Sequence, residues 1–176
     1  MTAQASTSVV ELRQDGDVLL VSVNNPPVNA LGAAVRQGLM AAMEQADASA
    51  SVKAVVIVGE GKAFIAGADI REFGKPPVLP FLPDVCNRIE ACSKPVVAVI
   101  HGAALGGGLE IAMSAHYRLA LPGAKLGLPE VLLGLVPGAG GTQRAPRLMG
   151  VKAATELMLS GQQIGAKAGL AAGLVD

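Results

Sequence analysis

The chain has 176 residues, 51% of them hydrophobic, and its 14 basic and 14 acidic residues give a formal net charge of zero. A chain of this length forms about one domain and has enough apolar residues for a sizeable core. Because basic residues are not in excess, the composition argues against a nucleic-acid-binding protein. The apolar runs are each interrupted by Gly or Pro and are too short for a membrane span.

The first part of the chain predicts a hairpin, a helix and a strand. Residues 8–13 and 18–23 are rich in β-branched side chains and flank Asp15-Gly16, a pair that favours a tight hairpin turn. Apolar residues at helical spacing predict a helix over Leu31–Ala46. Val55–Val58 is a bare apolar run, which is typical of a strand buried on both faces.

The middle of the chain alternates irregular and regular segments. A loop is predicted over Gly59–Asp69, and a helix begins near Ile70–Phe73. Four prolines make residues 74–83 a loop or lid. A short helix follows over Asp84–Cys92, with Asp84 as its N-cap.

The remaining elements alternate between strands and helices. They are a strand over Val96–Ile100, a helix over Leu109–Ser114, a strand over Tyr117–Ala120, and helices over Thr142–Met149, Val151–Ser160 and Ala166–Ala172. The whole pattern predicts an α/β fold with buried strands.

Three glycine-rich segments are candidates for ligand contact: Ala66–Asp69, Gly106–Glu110 and Pro137–Thr142. None has the Gly-Lys-Ser/Thr ending of a P-loop or the spacing of a dinucleotide-binding turn. Glycines between a strand and a helix leave unpaired N–H groups that a ligand oxygen can approach, as in an oxyanion hole. The same glycines would also let a helix pack tightly on a strand, and both interpretations stay open.

Two glutamates stand alone inside apolar runs. Glu110 follows the triple glycine directly, and Glu130 lies between Pro129 and Val131. Burial raises the pKa of a carboxyl group, which suits a general acid or base near neutral pH. The alternative is that each glutamate caps a helix or pairs with Arg118 or Arg144.

Other reactive side chains give weaker signals. Cys86 and Cys92 are interpreted as free thiols in a reducing compartment rather than as a disulfide or a metal pair. His101 and His116 lack the neighbours of a metal site, so no metal is expected. Residues 1–8 show no signal segment, which predicts a cytoplasmic location if the chain is bacterial.

Four segments, in chain order, carry a family resemblance: Ala66–Ile70, Lys94–Ala98, Gly102–Glu110 and Gly127–Gln143. Together they resemble the signature segments of the crotonases, the enoyl-CoA hydratases and isomerases of fatty acid β-oxidation. The likeness extends over nearly the whole chain and is strongest to the hydratase/isomerase portion of multifunctional β-oxidation enzymes.

The resemblance implies a fold, an assembly and a set of site residues. It implies a crotonase-like spiral of strand–strand–helix units over residues 1–176, assembled as a homotrimer or hexamer. The implied roles are oxyanion-hole amides for Ala68 and Gly107, catalysis for Glu110 and Glu130, and contact with substrate or coenzyme A for Ala66, Gly67, Asp69, Ile70 and Gly106. Coenzyme A belongs to the substrate, so no separate cofactor is expected.

Two glutamates favour hydration of a trans-2-enoyl-CoA, because moving a proton within the acyl chain needs only one. The alternatives are an enoyl-CoA isomerase or another acyl-CoA enzyme of this family, and a non-catalytic, RNA-interacting relative. The family continues with further helices after the position of Asp176. The chain is therefore expected to lack them, and an inactive fragment of a multifunctional hydratase/3-hydroxyacyl-CoA dehydrogenase is a further alternative.

Overall fold

A computed structural model describes residues 8–176 of the chain. The prediction of no signal segment falls almost wholly on residues 1–7, which lie outside this range. The strands are Val10–Asp15 (β1), Val18–Val23 (β2), Ala54–Gly59 (β3), Val96–Ile100 (β4), Ala103–Leu105 (β5), Tyr117–Ala120 (β6), Lys125–Gly127 (β7) and Ile164–Gly165 (β8). The helices are Ala33–Ala48 (α1), Leu82–Glu90 (α2), Gly107–Ser114 (α3), Gly141–Met149 (α4), Val151–Ser160 (α5) and Ala166–Ala171 (α6).

The main sheet has five strands in the order β1-β2-β3-β4-β6. The predicted hairpin is confirmed: β1 and β2 pair antiparallel, with Asp15 opposite Val18 and Gly16 at a φ of +60° in the turn. The other pairs are parallel. In β3 only one face is fully buried, with Val55 and Ile57 inaccessible, and the other face is half-buried.

A second sheet, in the order β5-β7-β8, lies beside the first along the chain's path. β4 belongs to the main sheet, and β5, which follows it, belongs to the second sheet. After α3, β6 joins the main sheet and β7 joins the second sheet. An earlier turn adds β3 to the main sheet and a single parallel bridge between Ile65 and Ala104 to the second. Each turn thus supplies both sheets, which confirms the predicted α/β spiral of strand–strand–helix units.

Helix α2 begins two residues earlier than predicted. Its N-cap is Phe81, and Asp84 lies in the first turn, where its carboxylate accepts a hydrogen bond of 3.1 Å from the Phe81 N–H. Pro83 fits inside this first turn because the N–H groups there have no helical partner. The predicted N-cap role of Asp84 is therefore wrong, since its side chain supports the cap from within the helix.

Arg36, a buried cation on α1, fastens the proline-rich segment. Its guanidinium donates to the carbonyl oxygens of Pro80 and Val78, each at 2.8 Å, and to Leu31 at 3.0 Å. It also pairs with Glu72 at 2.8 Å. Residues 72–80 are thereby tied to α1 by hydrogen bonds, although few of their side chains are buried.

The minor candidates from the sequence have structural roles. Cys86 and Cys92 are free and buried, and burial raises the pKa of Cys86 to about 11. The Nδ1 atom of His116 accepts a hydrogen bond of 2.9 Å from the Val96 N–H at the start of β4. Within residues 8–176 no helix combines the length and the apolar character that a membrane crossing requires.

Candidate active site

One cavity brings together eight of the nine predicted site residues. It has a volume of about 350 Å³ and lies between the loop before α2, the start of α3 and the segment after β7. The predicted residues that line it are Ala66, Gly67, Ala68, Ile70, Gly106, Gly107, Glu110 and Glu130. Most of the other lining residues are apolar, including Leu82, Pro83, Leu133 and Val136.

Asp69 is the exception. Its side chain forms an ion pair with Arg71 at 2.8 Å and accepts a hydrogen bond from the Arg71 N–H, and these bonds lower the pKa of Asp69 to about 2. Asp69 borders a neighbouring hollow with Glu72 and Lys75 instead of the cavity. Contact between Asp69 and coenzyme A stays a prediction.

Ala68 presents the first amide group at the cavity. Gly67 takes a φ of +117°, which is open to glycine, and its carbonyl accepts a hydrogen bond of 2.9 Å from the Leu31 N–H. This bond fixes the bend just before Ala68. Among the described residues, no acceptor takes the Ala68 N–H, so this donor is free for a ligand.

Gly107 presents the second amide group. Gly106 takes a φ of +52° and donates its own N–H to the Gly127 carbonyl at 2.9 Å, and α3 begins at the next residue. A Cβ atom on Gly107 would lie 2.7 Å from a Leu82 methyl group and 3.9 Å from the Ala68 nitrogen. The two bends therefore lie side by side, and the Gly107 N–H, at the first turn of a helix, has no acceptor in residues 8–176.

Glycine serves both open interpretations here, at different positions. A Cβ atom on Gly108 would overlap the Ile65 carbonyl oxygen, so this glycine is required for packing α3 against the chain. Gly106 and Gly107 line the cavity, where their backbone is open to a ligand, although a Cβ atom on Gly107 would also crowd Leu82.

Glu110 is buried on α3 and held by a loop. Its Oε1 atom accepts hydrogen bonds from the Ala139 N–H at 2.7 Å and the Gly141 N–H at 2.8 Å. Burial raises the pKa of Glu110 above its ordinary value, although these two donors and the charge of Arg144 oppose the rise. The carboxyl group is thus fixed in place and holds its proton more tightly than a free glutamate does.

Glu130 lies in a short 3-10 turn, Pro129–Leu133, on the facing wall of the cavity. Burial and the nearby charge of Glu110 raise its pKa. Its Oε2 atom is buried and accepts no hydrogen bond from any residue that the structure describes. A buried carboxylate oxygen without a partner is costly, and a ligand that donates a hydrogen bond would relieve that cost.

The ion-pair alternative for these glutamates is wrong. Arg118 pairs with Asp176 at 2.8 Å, and Arg144 pairs with Glu90 at 2.7 Å. The helix-capping alternative holds in part, because the Gly141 N–H that Glu110 accepts is the first of α4. Capping leaves the second oxygen of Glu110 available for other contacts.

Sequence reasoning did not predict that the loop before α4 holds Glu110. This loop has the third glycine-rich segment, and its amides at Ala139 and Gly141 fix the carboxylate. A Cβ atom on Gly141 would come within 3.0 Å of Glu110 Oε1, which explains the glycine. The glycine content of this segment was the one sequence signal that could have indicated such a contact. The apolar wall formed by Leu82 and Pro83 was also missed, because these residues lie in the segment predicted as a loop or lid.

The site has the parts that stabilise an enolate. Two free amides from separate bends can bind a carbonyl oxygen that gains negative charge, and the N-terminus of α3 adds its dipole. Two carboxyl groups with raised pKa border the same cavity and can exchange protons with the carbon skeleton of a ligand.

Comparisons with known proteins agree with this class of fold and site. The family model described as enoyl-CoA hydratase/isomerase matches residues 13–176. The crystal structure of an enoyl-CoA hydratase from Bacillus anthracis superposes with a TM-score of 0.90 at 35% identity, covering 95% of this chain and 68% of that one. The fold is therefore of the crotonase class.

Two curated relatives are similar in sequence. The peroxisomal bifunctional enzyme of Danio rerio is 53% identical over 159 residues, which are 90% of this chain and 22% of that protein. A probable enoyl-CoA hydratase of Bacillus subtilis is 43% identical over 176 residues, covering 96% of this chain and 68% of that protein. The chain thus spans about a fifth of the first relative. It belongs to the enoyl-CoA hydratase/isomerase family.

Proposed function

We propose that the chain hydrates the double bond of a trans-2-enoyl-CoA. The thioester oxygen binds the Ala68 and Gly107 amides, and the enolate that forms during addition is stabilised there. Glu110, held by two amides, accepts a proton from the attacking water, and Glu130 in its protonated form protonates the α-carbon. A proton then passes from Glu110 to Glu130 through solvent, which restores both groups. The convergence of both amides and both carboxyl groups on one cavity is the observation that carries this proposal.

The expected contributions are large enough to measure. Each oxyanion-hole donor supplies roughly 10² to 10³ in rate. A positioned acid or base adds about 10² to 10⁴. The apolar lining around Leu133 and Val136 accepts the acyl chain and lowers the dielectric around the reacting groups.

The test is hydration of short- and medium-chain enoyl-CoA, followed by the loss of ultraviolet absorbance of the conjugated thioester. Glu110→Gln and Glu130→Gln should each lower kcat by about 10² to 10⁴ while acyl-CoA binding survives. Glu44→Gln is the matched control, since Glu44 lies exposed on α1 and does not line the cavity. Wild-type rates in both cavity variants would refute the assignment.

Isomerisation of a 3-enoyl-CoA is the second candidate, and the asymmetry of the two glutamates favours it. Glu110 Oε1 is engaged by two amides, whereas Glu130 Oε2 has no partner among the described residues. A single unengaged carboxyl group is sufficient to carry a proton between two carbons. An isomerase would gain the conjugated absorbance from a 3-enoyl substrate and would retain activity in Glu110→Gln.

The remaining expectations are part of the same proposal. Acyl-CoA is the ligand, no cofactor is needed, and the protein assembles as a homotrimer or hexamer in the cytoplasm if it is bacterial. Participation in fatty acid β-oxidation is supported by a relative in Arabidopsis thaliana, a peroxisomal fatty acid beta-oxidation multifunctional protein that is 43% identical and of which the chain spans 24%.

A further inference from the structure

Arg144, considered above as an ion-pair partner of the two glutamates, is buried. It lies on α4 with 9% of its surface exposed. One terminal nitrogen donates to the Ala139 carbonyl at 3.0 Å, and the other donates to Glu90 at 2.7 Å and to Asn87 at 3.0 Å, both on α2. A buried guanidinium in this arrangement locks α4, α2 and the loop before α4 together.

The loop that Arg144 holds is the loop that holds Glu110. Ala139 donates its N–H to Glu110 Oε1 at 2.7 Å and offers its carbonyl to Arg144. Gly140, at a φ of +100°, leaves the space that the guanidinium fills, since a Cβ atom there would overlap Arg144. One residue, Ala139, thus bridges the cation and the carboxylate.

The charged and titratable groups facing Glu110 come from three elements. α4 contributes Arg144, the 3-10 turn contributes Glu130, and α2 contributes the Cys86 thiol and, through Arg144, Glu90. Arg144 is the cation that favours the ionised form of Glu110. The other groups are acids, which oppose ionisation of Glu110 when they are charged.

We propose that Arg144 is a positioning residue that holds the 138–141 loop against Glu110 and directs a positive charge at that carboxylate. Arg144 touches no substrate. It acts on Glu110 through its hydrogen bond to Ala139 and through the electrostatic field of its positive charge. The inference rests on the proposed function for its kinetic consequence, because Glu110 must be ionised to accept a proton from water. Its electrostatic consequence is independent of turnover.

The test compares Arg144→Gln, Arg144→Lys and the wild type in two measurements. The first is the pH profile of kcat/KM for enoyl-CoA hydration. Removing the cation disfavours the carboxylate, so the acidic limb moves to higher pH in Arg144→Gln. Loosening of the loop lowers the plateau about ten- to a hundredfold. Arg144→Lys, which keeps a charge, brings the limb back toward its wild-type position.

The second measurement is an NMR titration of the Glu110 side-chain carboxyl carbon, assigned by its loss in Glu110→Gln. Its midpoint should rise in Arg144→Gln and stay unchanged in Arg147→Gln, because Arg147 is exposed on the same helix and bonds only Gln143 among residues 8–176. Should Arg144→Gln fail to fold, Glu90→Gln takes its place. Removing that anion from the exposed end of the ion pair should lower the midpoint.

The inference is overturned if the Glu110 titration midpoint does not move in Arg144→Gln, or in Glu90→Gln where Arg144→Gln fails to fold. This holds even if the wild-type chain hydrates enoyl-CoA. The chain could also lack hydratase activity while the Glu110 midpoint still rises in Arg144→Gln, or falls in Glu90→Gln. This result would refute the proposed function and uphold the electrostatic role of Arg144. A uniform loss of activity with an unmoved limb marks Arg144 as a structural residue only.

Discussion

At the scale of single residues, ionisation of Glu110 lowers the stability of the fold but is required for the proposed reaction. Burial raises its pKa in the folded state, so the folded protein binds this proton more tightly than the unfolded chain does. Stability is therefore lost as pH rises from the unfolded value, about 4.3, through the folded pKa. The charge that the proposed reaction requires is thus one that the fold opposes.

Glu110→Gln should consequently stabilise the protein at neutral pH. The glutamine oxygen can still accept the Ala139 and Gly141 N–H groups, and no charge is buried. We expect a gain in the free energy of unfolding and in Tm at neutral pH, which vanishes below a pH of about 4. Thermal unfolding followed by circular dichroism across this range measures it, and an equal gain at every pH would contradict the assignment.

Gly141 permits the contact that fixes Glu110. In Gly141→Ala the new methyl group would meet the Pro137 side chain at 2.9 Å and Glu110 Oε1 at 3.0 Å, so the loop or the carboxylate must shift slightly. A shift well below 1 Å should lower kcat by up to about tenfold, with a smaller change in KM. Gly165→Ala is the control, because a Cβ atom there meets nothing within 4 Å. Equal rates in the two variants would contradict this role.

At the scale of elements, Arg36 connects α1 to the wall of the cavity. Its guanidinium holds three carbonyl groups and Glu72, and the segment it fastens leads into Leu82 and Pro83, which line the cavity. Arg36→Met should cost about 2–4 kcal/mol in the free energy of unfolding, because these acceptors lose a buried partner. Urea denaturation measures the cost.

The matched control for Arg36→Met is Gln37→Met. Gln37 makes one exposed hydrogen bond to the Leu79 carbonyl, at 2.9 Å, in the same proline-rich segment. Its loss should change stability by no more than about 0.5 kcal/mol. Similar losses in both variants would show that the segment is held by its backbone and not by the guanidinium.

At the scale of the whole molecule, sequence reasoning found the elements that carry a clear periodicity. The bounds of β2, β4, β6 and α5 agree with their predicted ranges, because each has an apolar pattern bounded by turn residues. The strands of the second sheet were missed. They have two or three residues each, and β7 and β8 include glycine, so they show no alternation that a single sequence can reveal.

The same contrast applies to the site. Glu110 and Glu130 could be found because a lone charge in an apolar run is conspicuous. Arg144 could be named only as a possible ion-pair partner, and its actual position could not be predicted, because its burial depends on Asn87 and Glu90, more than 50 positions away along the chain. Which distant residues meet depends on how the turns of the spiral stack. That stacking can be predicted from a single sequence only through the family resemblance.

The spiral distributes the reacting groups over consecutive coils. Ala68 belongs to the coil after β3, Gly107 and Glu110 to the next, and Glu130 to the one after β7. No coil contains a complete site. Under the proposed function, an acyl-CoA bound across the coils would therefore act as a clamp, and at a hundredfold excess over Kd it would resist uncoiling by about 2.7 kcal/mol.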